Sequence, residues 1–149
     1  MQDGCGRAPP RPLRRSGRAA PTLERADRAI AALGTGEPFL IVYYGTDASG
    51  GWQRLDRPLR TLTTLDRFGL VTWLGGEPQL RMLQVPELMR AMGFGDGYGL
   101  AGIGSRRDWI RLLGNGVAPP VMAAMVGSLT GDRALTECRP MAQRAVGAA

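Results

Sequence analysis

Short β-rich runs separated by turn residues occupy the middle of the chain, and they constrain its fold more than any other feature. Residues 38–44 are a continuous run rich in β-branched and aromatic side chains, which is typical of a buried strand. Residues 58–64 and 68–74 have the same character, and residues 79–84 are a candidate for a further strand. The pattern predicts a small antiparallel sheet between Phe39 and Val85.

Helical patterns lie on both sides of this region. Apolar residues recur at helical spacing over 22–33, where Thr22 is a good N-cap. A short helix is predicted over 86–92, and the proline pair at 119–120 is well placed to begin a last helix that Gly131 ends. We therefore predict an α+β fold, in which a small β-rich lobe is flanked by helices.

The two ends of the chain differ from this ordered region, predicted at 22–131. Residues 1–21 are rich in arginine, proline and glycine, and Asp3 is their single acid. Such a segment cannot bury much apolar surface, so we predict a disordered basic arm over 1–21 and a flexible tail over 132–149. The arm is either a nucleic-acid contact or an unstructured start left by truncation of a gene.

The charge of the chain comes entirely from arginine. The formal net charge is +6, and the sequence of 149 residues contains no lysine. Arginine makes forked contacts to phosphate and guanine, which favours a nucleic-acid partner. A GC-rich genome also favours arginine codons, together with glycine, alanine and proline. The charge alone is therefore weak support for nucleic-acid binding.

Several kinds of chemistry are excluded by residue types. The chain contains no histidine, so it holds no Ser-His-Asp machinery and no histidine-containing zinc site. Cys5 and Cys138 have no metal-ligand neighbours, and we predict neither a metal site nor a disulfide. No apolar run approaches the roughly eighteen residues of a membrane span, and the start lacks a secretory h-region. We predict a cytoplasmic protein without a membrane partner.

The most specific pattern is a motif that fills residues 81–98. Eight residues have the spacing R-x-L-x-x-x-E-x-x-R-x-x-G-F-x-D-x-Y, namely Arg81, Leu83, Glu87, Arg90, Gly93, Phe94, Asp96 and Tyr98. A G-N-x-V segment follows at 114–117, ahead of the proline pair and an apolar helix. Together they resemble the last two conserved motifs of the DNA (cytosine-5)-methyltransferases. Gly95 departs from the pattern, since the family usually has proline there.

The resemblance covers about 22–130, and it implies how the ordered region is organised. In that family the first motif packs the DNA-reading domain, here residues 38–85. The closing motifs, here 81–130, complete the cofactor pocket, so the resemblance implies that Asn115, Gly116 and Val117 contact S-adenosyl-L-methionine. It also implies that the C-terminal helix packs on a Rossmann-like methyltransferase domain.

A third segment is similar to the family's target-recognition region. Residues 58–64 read P-L-R-T-L-T-T, which looks like the family's P-x-x-T-[IL]-T sequence. By analogy, five residues would face duplex DNA: Arg60, Thr61, Thr63, Thr64 and Arg67. Threonine hydroxyls and guanidinium groups suit phosphates and base edges. The alternative is a solvated pair of strands with no ligand.

The family's catalytic residues do not occur in this chain. The nucleophile lies in a P-C-Q context, and its thiolate adds to C6 of a flipped cytosine with help from a glutamate in an E-N-V context. Cys5 is flanked by glycines and Cys138 by Glu137 and Arg139, so we predict no catalytic residue here. The G-x-G-x-x-G sequence at 97–102 lacks the strand, helix and acid of a nucleotide site and is predicted to be loop.

The sequence thus predicts the C-terminal part of a DNA (cytosine-5)-methyltransferase. It would bind duplex DNA, and would bind S-adenosyl-L-methionine only together with a separately encoded N-terminal half. A non-enzymatic DNA-binding module and a non-functional gene remnant are the alternatives.

Overall fold

The architecture of the chain is α+β, as predicted. The computed structural model describes residues 9–44, 50–95, 98–100 and 104–131, so the predicted tail at 132–149 lies outside the described residues. Within them the elements are β1 (Arg11–Pro12), α1 (Ala20–Leu33), β2 (Phe39–Val42), β3 (Trp52–Arg54), β4 (Phe68–Leu74), β5 (Glu77–Met82), α2 (Val85–Ala91), α3 (Arg106–Asn115) and α4 (Pro119–Thr130).

The five strands form one antiparallel sheet in the order β1-β5-β4-β2-β3. β4 and β5 are joined by the two-residue turn Gly75–Gly76, and both glycines have positive φ, of 59° and 82°. Such a turn matches the right-handed twist of a hairpin and favours glycine at both positions. The predicted strands at 38–44, 68–74 and 79–84 are confirmed as β2, β4 and β5, with small shifts of their ends.

Helices cover both faces of the sheet. β2 is buried along its whole length because its side chains alternate between two cores. Phe39 and Ile41 join the core under α1, whereas Leu40 and Val42 join the core under α2 and α3. This two-sided burial explains the uninterrupted apolar run that the sequence shows at this strand.

The prediction of a disordered arm over 1–21 is wrong for residues 9–21. Arg11 and Pro12 pair with Leu80 and Gln79 of β5, and the side chain of Leu13 is completely buried. The helix also begins earlier than predicted, at Ala20, and Thr22 is a buried position within it and not its N-cap. Burial of Leu13 and pairing with the open edge of β5 therefore order a segment whose composition is typical of disorder.

The prediction of a strand at 58–64 is also wrong. β2 pairs with β4 on one side and with β3 on the other, and β3 precedes this segment. Backbone carbonyl oxygens of the segment accept hydrogen bonds from side chains and not from a neighbouring strand. Gln53 Nε2 donates to Pro58 O at 2.6 Å, and the Tyr44 hydroxyl donates to Thr61 O at 2.7 Å. Residues 58–67 therefore lie against the sheet as a non-regular segment, here named the recognition segment.

α3 runs for ten residues, and a capping box fixes its start. Asp108 Oδ2 accepts hydrogen bonds from the Ser105 hydroxyl at 2.7 Å and from the Ser105 amide at 2.8 Å. These two hydrogen bonds hold the pKa of Asp108 below its usual value of 3.8. The carboxylate therefore stabilises the fold above that value, and its contribution disappears as the pH falls through the lower folded-state pKa.

We expect Asp108→Asn to lower the melting temperature at neutral pH, because the neutral amide is a weaker partner for the amide and hydroxyl of Ser105. The difference in melting temperature between Asp108→Asn and the unmodified chain should become smaller as the pH falls below about 4. Thermal melts followed by circular dichroism between pH 3 and pH 7 measure this. If the difference in melting temperature stays constant from pH 3 to pH 7, the charged carboxylate of Asp108 does not stabilise the start of α3.

Candidate nucleic-acid interface

The recognition segment packs directly on the last turn of α3. A Cβ atom placed on Gly114 would lie 2.6 Å from the backbone nitrogen of Thr64, and closer still to the carbonyl group of Thr63. Real side chains do not approach backbone so closely, so a residue larger than glycine requires the two segments to separate. The structure thus brings the G-N-x-V sequence into contact with the threonine-rich sequence of residues 58–64.

A bidentate ion pair joins β5 to α2 inside the 81–98 motif. Arg81 Nη1 and Nη2 donate to the two carboxylate oxygens of Glu87, each at 2.7 Å, and both side chains are largely shielded from solvent. Glu87 Oε2 also accepts from the backbone amide of Gln84 at 2.7 Å and so caps α2. The pair raises the pKa of Arg81, which stays charged wherever the protein is folded. The arginine and the glutamate of the motif thus have a shared structural role.

A second arginine ties the recognition segment to the start of α3. Arg106 Nη2 donates to Asp66 Oδ2 and to the carbonyl oxygen of Leu83, both at 2.7 Å. One guanidinium group therefore bridges three parts of the chain: the recognition segment, the end of β5 and α3. Because a guanidinium is planar and always charged, it fixes the distance between these parts more rigidly than a lysine would.

A cavity of about 490 Å³ lies between the recognition segment and the start of α3. Its walls include the predicted DNA-facing residue Thr64, together with Asp66, Ser105 and Arg107. Asp66 Oδ1 is buried and has no hydrogen-bond partner among the described residues. The cavity therefore combines hydroxyl and guanidinium donors with a carboxylate acceptor, and Leu65 and Ile110 add apolar walls. Donors and an acceptor together suit polar base edges, whereas the carboxylate disfavours a phosphate.

The five residues predicted to face DNA share one segment, but three of them also hold that segment in place. Arg60 Nη2 donates to Trp52 O at 3.3 Å, and Arg67 Nη1 donates to Tyr43 O at 3.0 Å. The Thr63 hydroxyl donates to Leu65 O at 3.2 Å. Thr61 and Thr64 are exposed. A guanidinium has five N–H donors, so the hydrogen bond to Tyr43 uses only part of the donor capacity of Arg67.

The three residues predicted to contact the cofactor lie where α3 gives way to α4. Asn115 ends α3, while Gly116 follows it in an extended conformation, with φ −77° and ψ 154°. All three residues are exposed, and Val117 is 54% exposed. Their exposure is compatible with contact to a ligand, and their role in cofactor binding stays a prediction.

α4 presents an apolar surface that the rest of the structure leaves largely uncovered. Its start is anchored, because Pro120 packs on Gly93 so closely that a Cβ there would meet the Pro120 ring at 2.5 Å. Beyond this turn no residue of the helix is charged, and five apolar side chains are exposed: Val121, Met122, Met125, Val126 and Leu129. A contiguous apolar surface of this kind marks an interaction site.

One segment of the described residues, Arg106–Thr130, has the length and apolar composition of a membrane span. A single such segment is weak evidence for a membrane protein. The extended backbone at Gly116 and Ala118 divides it into helices of 10 and 12 residues. A helix of twelve residues rises about 18 Å, less than the ~30 Å of a bilayer core. Neither helix alone is long enough to cross a bilayer core.

The chain was compared with protein-family models, with curated proteins and with solved structures, and none of them matches. The functional assignment therefore depends on the motifs quoted above and on the geometry that joins them.

Proposed function

We propose that this chain is the C-terminal part of a DNA (cytosine-5)-methyltransferase, which contributes the DNA-recognition region and one wall of the S-adenosyl-L-methionine pocket. The observation that carries the proposal is the contact between Gly114 and the Thr63–Thr64 backbone. Two sequences that resemble separate motifs of one family lie about fifty residues apart and pack together in the fold. This juxtaposition is what a recognition region next to a cofactor pocket requires.

The division of chemistry follows from the residues present. The described residues offer donors and an acceptor for DNA around the cavity, and an exposed trio at Asn115, Gly116 and Val117 that fits one side of the cofactor. When bound, the cofactor supplies the methyl group. The P-C-Q and E-N-V sequences do not occur in these 149 residues, and we propose that a separately encoded N-terminal half supplies the thiolate and the glutamate that the reaction needs.

The surface of α4 is the proposed contact with that polypeptide. Burying the five exposed apolar side chains of α4 stabilises a complex by about 1.5–3 kcal/mol for each one that becomes fully covered, before the entropic cost of association. The occupant is an apolar groove on the catalytic half, next to the cofactor. The proximity of α4 to Asn115, Gly116 and Val117 supports this choice, since docking there would also close the pocket.

A methyl-transfer assay tests the proposal. Unmethylated duplex DNA and tritium-labelled S-adenosyl-L-methionine are incubated with this chain, with an N-terminal half encoded in the same genome, and with both. We expect incorporation only from the pair. Activity from this chain alone contradicts the assignment of the nucleophile to the partner. If the pair incorporates no label but this chain binds DNA in a salt-sensitive way, the chain is a non-enzymatic binding module. Absence of both incorporation and DNA binding contradicts the methyltransferase function and the binding function.

A matched pair of variants tests the role of α4. Met125→Glu places a charge on the exposed surface of α4, where Met125 is 56% exposed, and it should reduce activity of the pair by at least about ten-fold by preventing association. Leu74→Glu is the control, because Leu74 is a comparably exposed apolar residue, 69% exposed, that ends β4 and is not part of α4. Equal losses from both variants contradict docking through α4.

A further inference from the structure

The ordered N-terminal segment brings a group of arginines to Tyr43, the residue that follows β2. Arg25 lies over the Tyr43 ring, with its guanidinium carbon 6.0 Å from the ring centre. Arg18 Nε donates to Leu13 O at 3.1 Å, and its Nη2 donates to Pro12 O at 3.2 Å. These hydrogen bonds fix the Arg18 guanidinium without neutralising it, because both acceptors are uncharged carbonyls.

Arg11 and Arg15 add two more positive charges beside Arg18. The backbone N–H of Arg18 donates to Arg15 O at 3.2 Å, so the two residues are neighbours in a turn. Burial and then the charge of Arg15, with a smaller contribution from Arg11, lower the pKa of Arg18. Arg11 and Arg15 are exposed, and neither has an acidic partner within the described residues. Arg14, between them in sequence, differs because it is paired with Asp27. A polyanion would be attracted by this group of positive charges.

This group of arginines is joined to the recognition segment through two tyrosines. Tyr43 O accepts the hydrogen bond from Arg67, and the Tyr44 hydroxyl donates to Thr61 O. Burial raises the pKa of Tyr43, whereas a hydrogen bond with Thr22 and the charges of Arg18 and Arg25 lower it. The arginines and the recognition segment thus approach Tyr43–Tyr44 from two sides.

We propose that Arg11, Arg15, Arg18 and Arg25 form a second DNA-contacting surface, which binds the phosphate backbone beside the stretch that the recognition segment reads. The inference rests on the proposed function for the identity of the polymer, duplex DNA. It assigns a binding role to residues 11–25, which lie outside the segments that resemble the methyltransferase family's recognition motif. Phosphate contacts of this kind position a protein on DNA without reading its sequence.

Salt-dependent binding to a short duplex tests the surface. Fluorescence anisotropy of the full chain with a labelled DNA duplex is measured between 50 and 200 mM KCl, for the unmodified chain and for Arg11→Gln/Arg15→Gln. We expect affinity at about 100 mM salt to fall roughly ten-fold or more, and the slope of log K against log salt to become shallower by about two. Arg15→Gln alone, which lies outside β1, should give about half of the change in slope.

The control is Arg54→Gln/Arg90→Gln, which removes the same charge from two exposed positions, on β3 and α2. Both lie outside the arginine group and outside α3, the helix on which the recognition segment packs. An equal loss in the control means that net charge alone matters and overturns the inference. An unchanged slope in Arg11→Gln/Arg15→Gln also overturns it. Equal affinity for duplex RNA of the same length would overturn the assignment to DNA.

The two proposals fail separately. If methyl transfer by the pair is not observed while the arginine variants still lose DNA binding relative to the control, the proposed function fails and the second surface stands. If methyl transfer is observed but the arginine variants bind DNA as the unmodified chain does, the second surface fails and the proposed function stands.

Discussion

Gly114→Ala is expected to lower the free energy of unfolding by about 2–3 kcal/mol, the range of a strongly overpacked site. The new methyl group would be driven into the backbone of Thr63 and Thr64, and backbone cannot move aside as the end of a flexible side chain can. Alanine favours a helix over glycine by about 1 kcal/mol, so a measured loss means that the clash exceeds this gain. Urea unfolding followed by circular dichroism measures the change.

Gly99→Ala is the matched control for this prediction. A Cβ at Gly99 would meet nothing within 4 Å, and the residue has no positive φ, so its stability should change by less than about 1 kcal/mol. The same Gly114 substitution should weaken duplex binding, since the recognition segment is displaced from α3. A Gly114→Ala protein more stable than the unmodified chain would contradict the close packing of these two segments.

Glu87→Ala is the second large effect that we expect, a loss of about 2 kcal/mol in unfolding free energy. The substitution leaves the shielded guanidinium of Arg81 without its bidentate partner and the amide of Gln84 without its cap. Arg81→Met should cost less, because it retains the hydrogen bond from Gln84 to Glu87. A double-mutant cycle over Arg81 and Glu87 isolates the coupling between the two charges.

The pair Arg54–Asp56 provides the comparison for this cycle. Its N–O distance is 3.0 Å, but its side chains are 53% and 57% exposed. Solvent screens an exposed pair, so Arg54→Ala should change stability by no more than about 0.5 kcal/mol. Similar losses for Glu87→Ala and Arg54→Ala would show that the Arg81–Glu87 contact is no more than a surface ion pair.

Part of the candidate site was visible in the sequence. The spacing of residues 81–98 singled out Arg81 and Glu87, which form the bidentate pair, and residues 114–117 singled out the segment that packs on Thr63. Nothing in the sequence predicted that Arg106 bridges Asp66 and Leu83. Its Arg-Arg-Asp sequence is as typical of a phosphate contact as of a solvated helix start, and its partners lie 40 and 23 residues away.

The sequence by itself determined the elements whose causes are local. β4 follows from β-branched and aromatic residues within seven positions, its hairpin from two glycines that accept positive φ, and α4 from a proline start and a Gly131 stop with φ of 71°. The tertiary structure alone decided whether β1 forms and whether residues 58–64 pair as a strand. Both outcomes depend on hydrogen-bonding groups in distant parts of the chain, namely a free sheet edge for β1 and side-chain donors for residues 58–64. The sequence separation between such partners follows no fixed rule, so it cannot be recognised in advance.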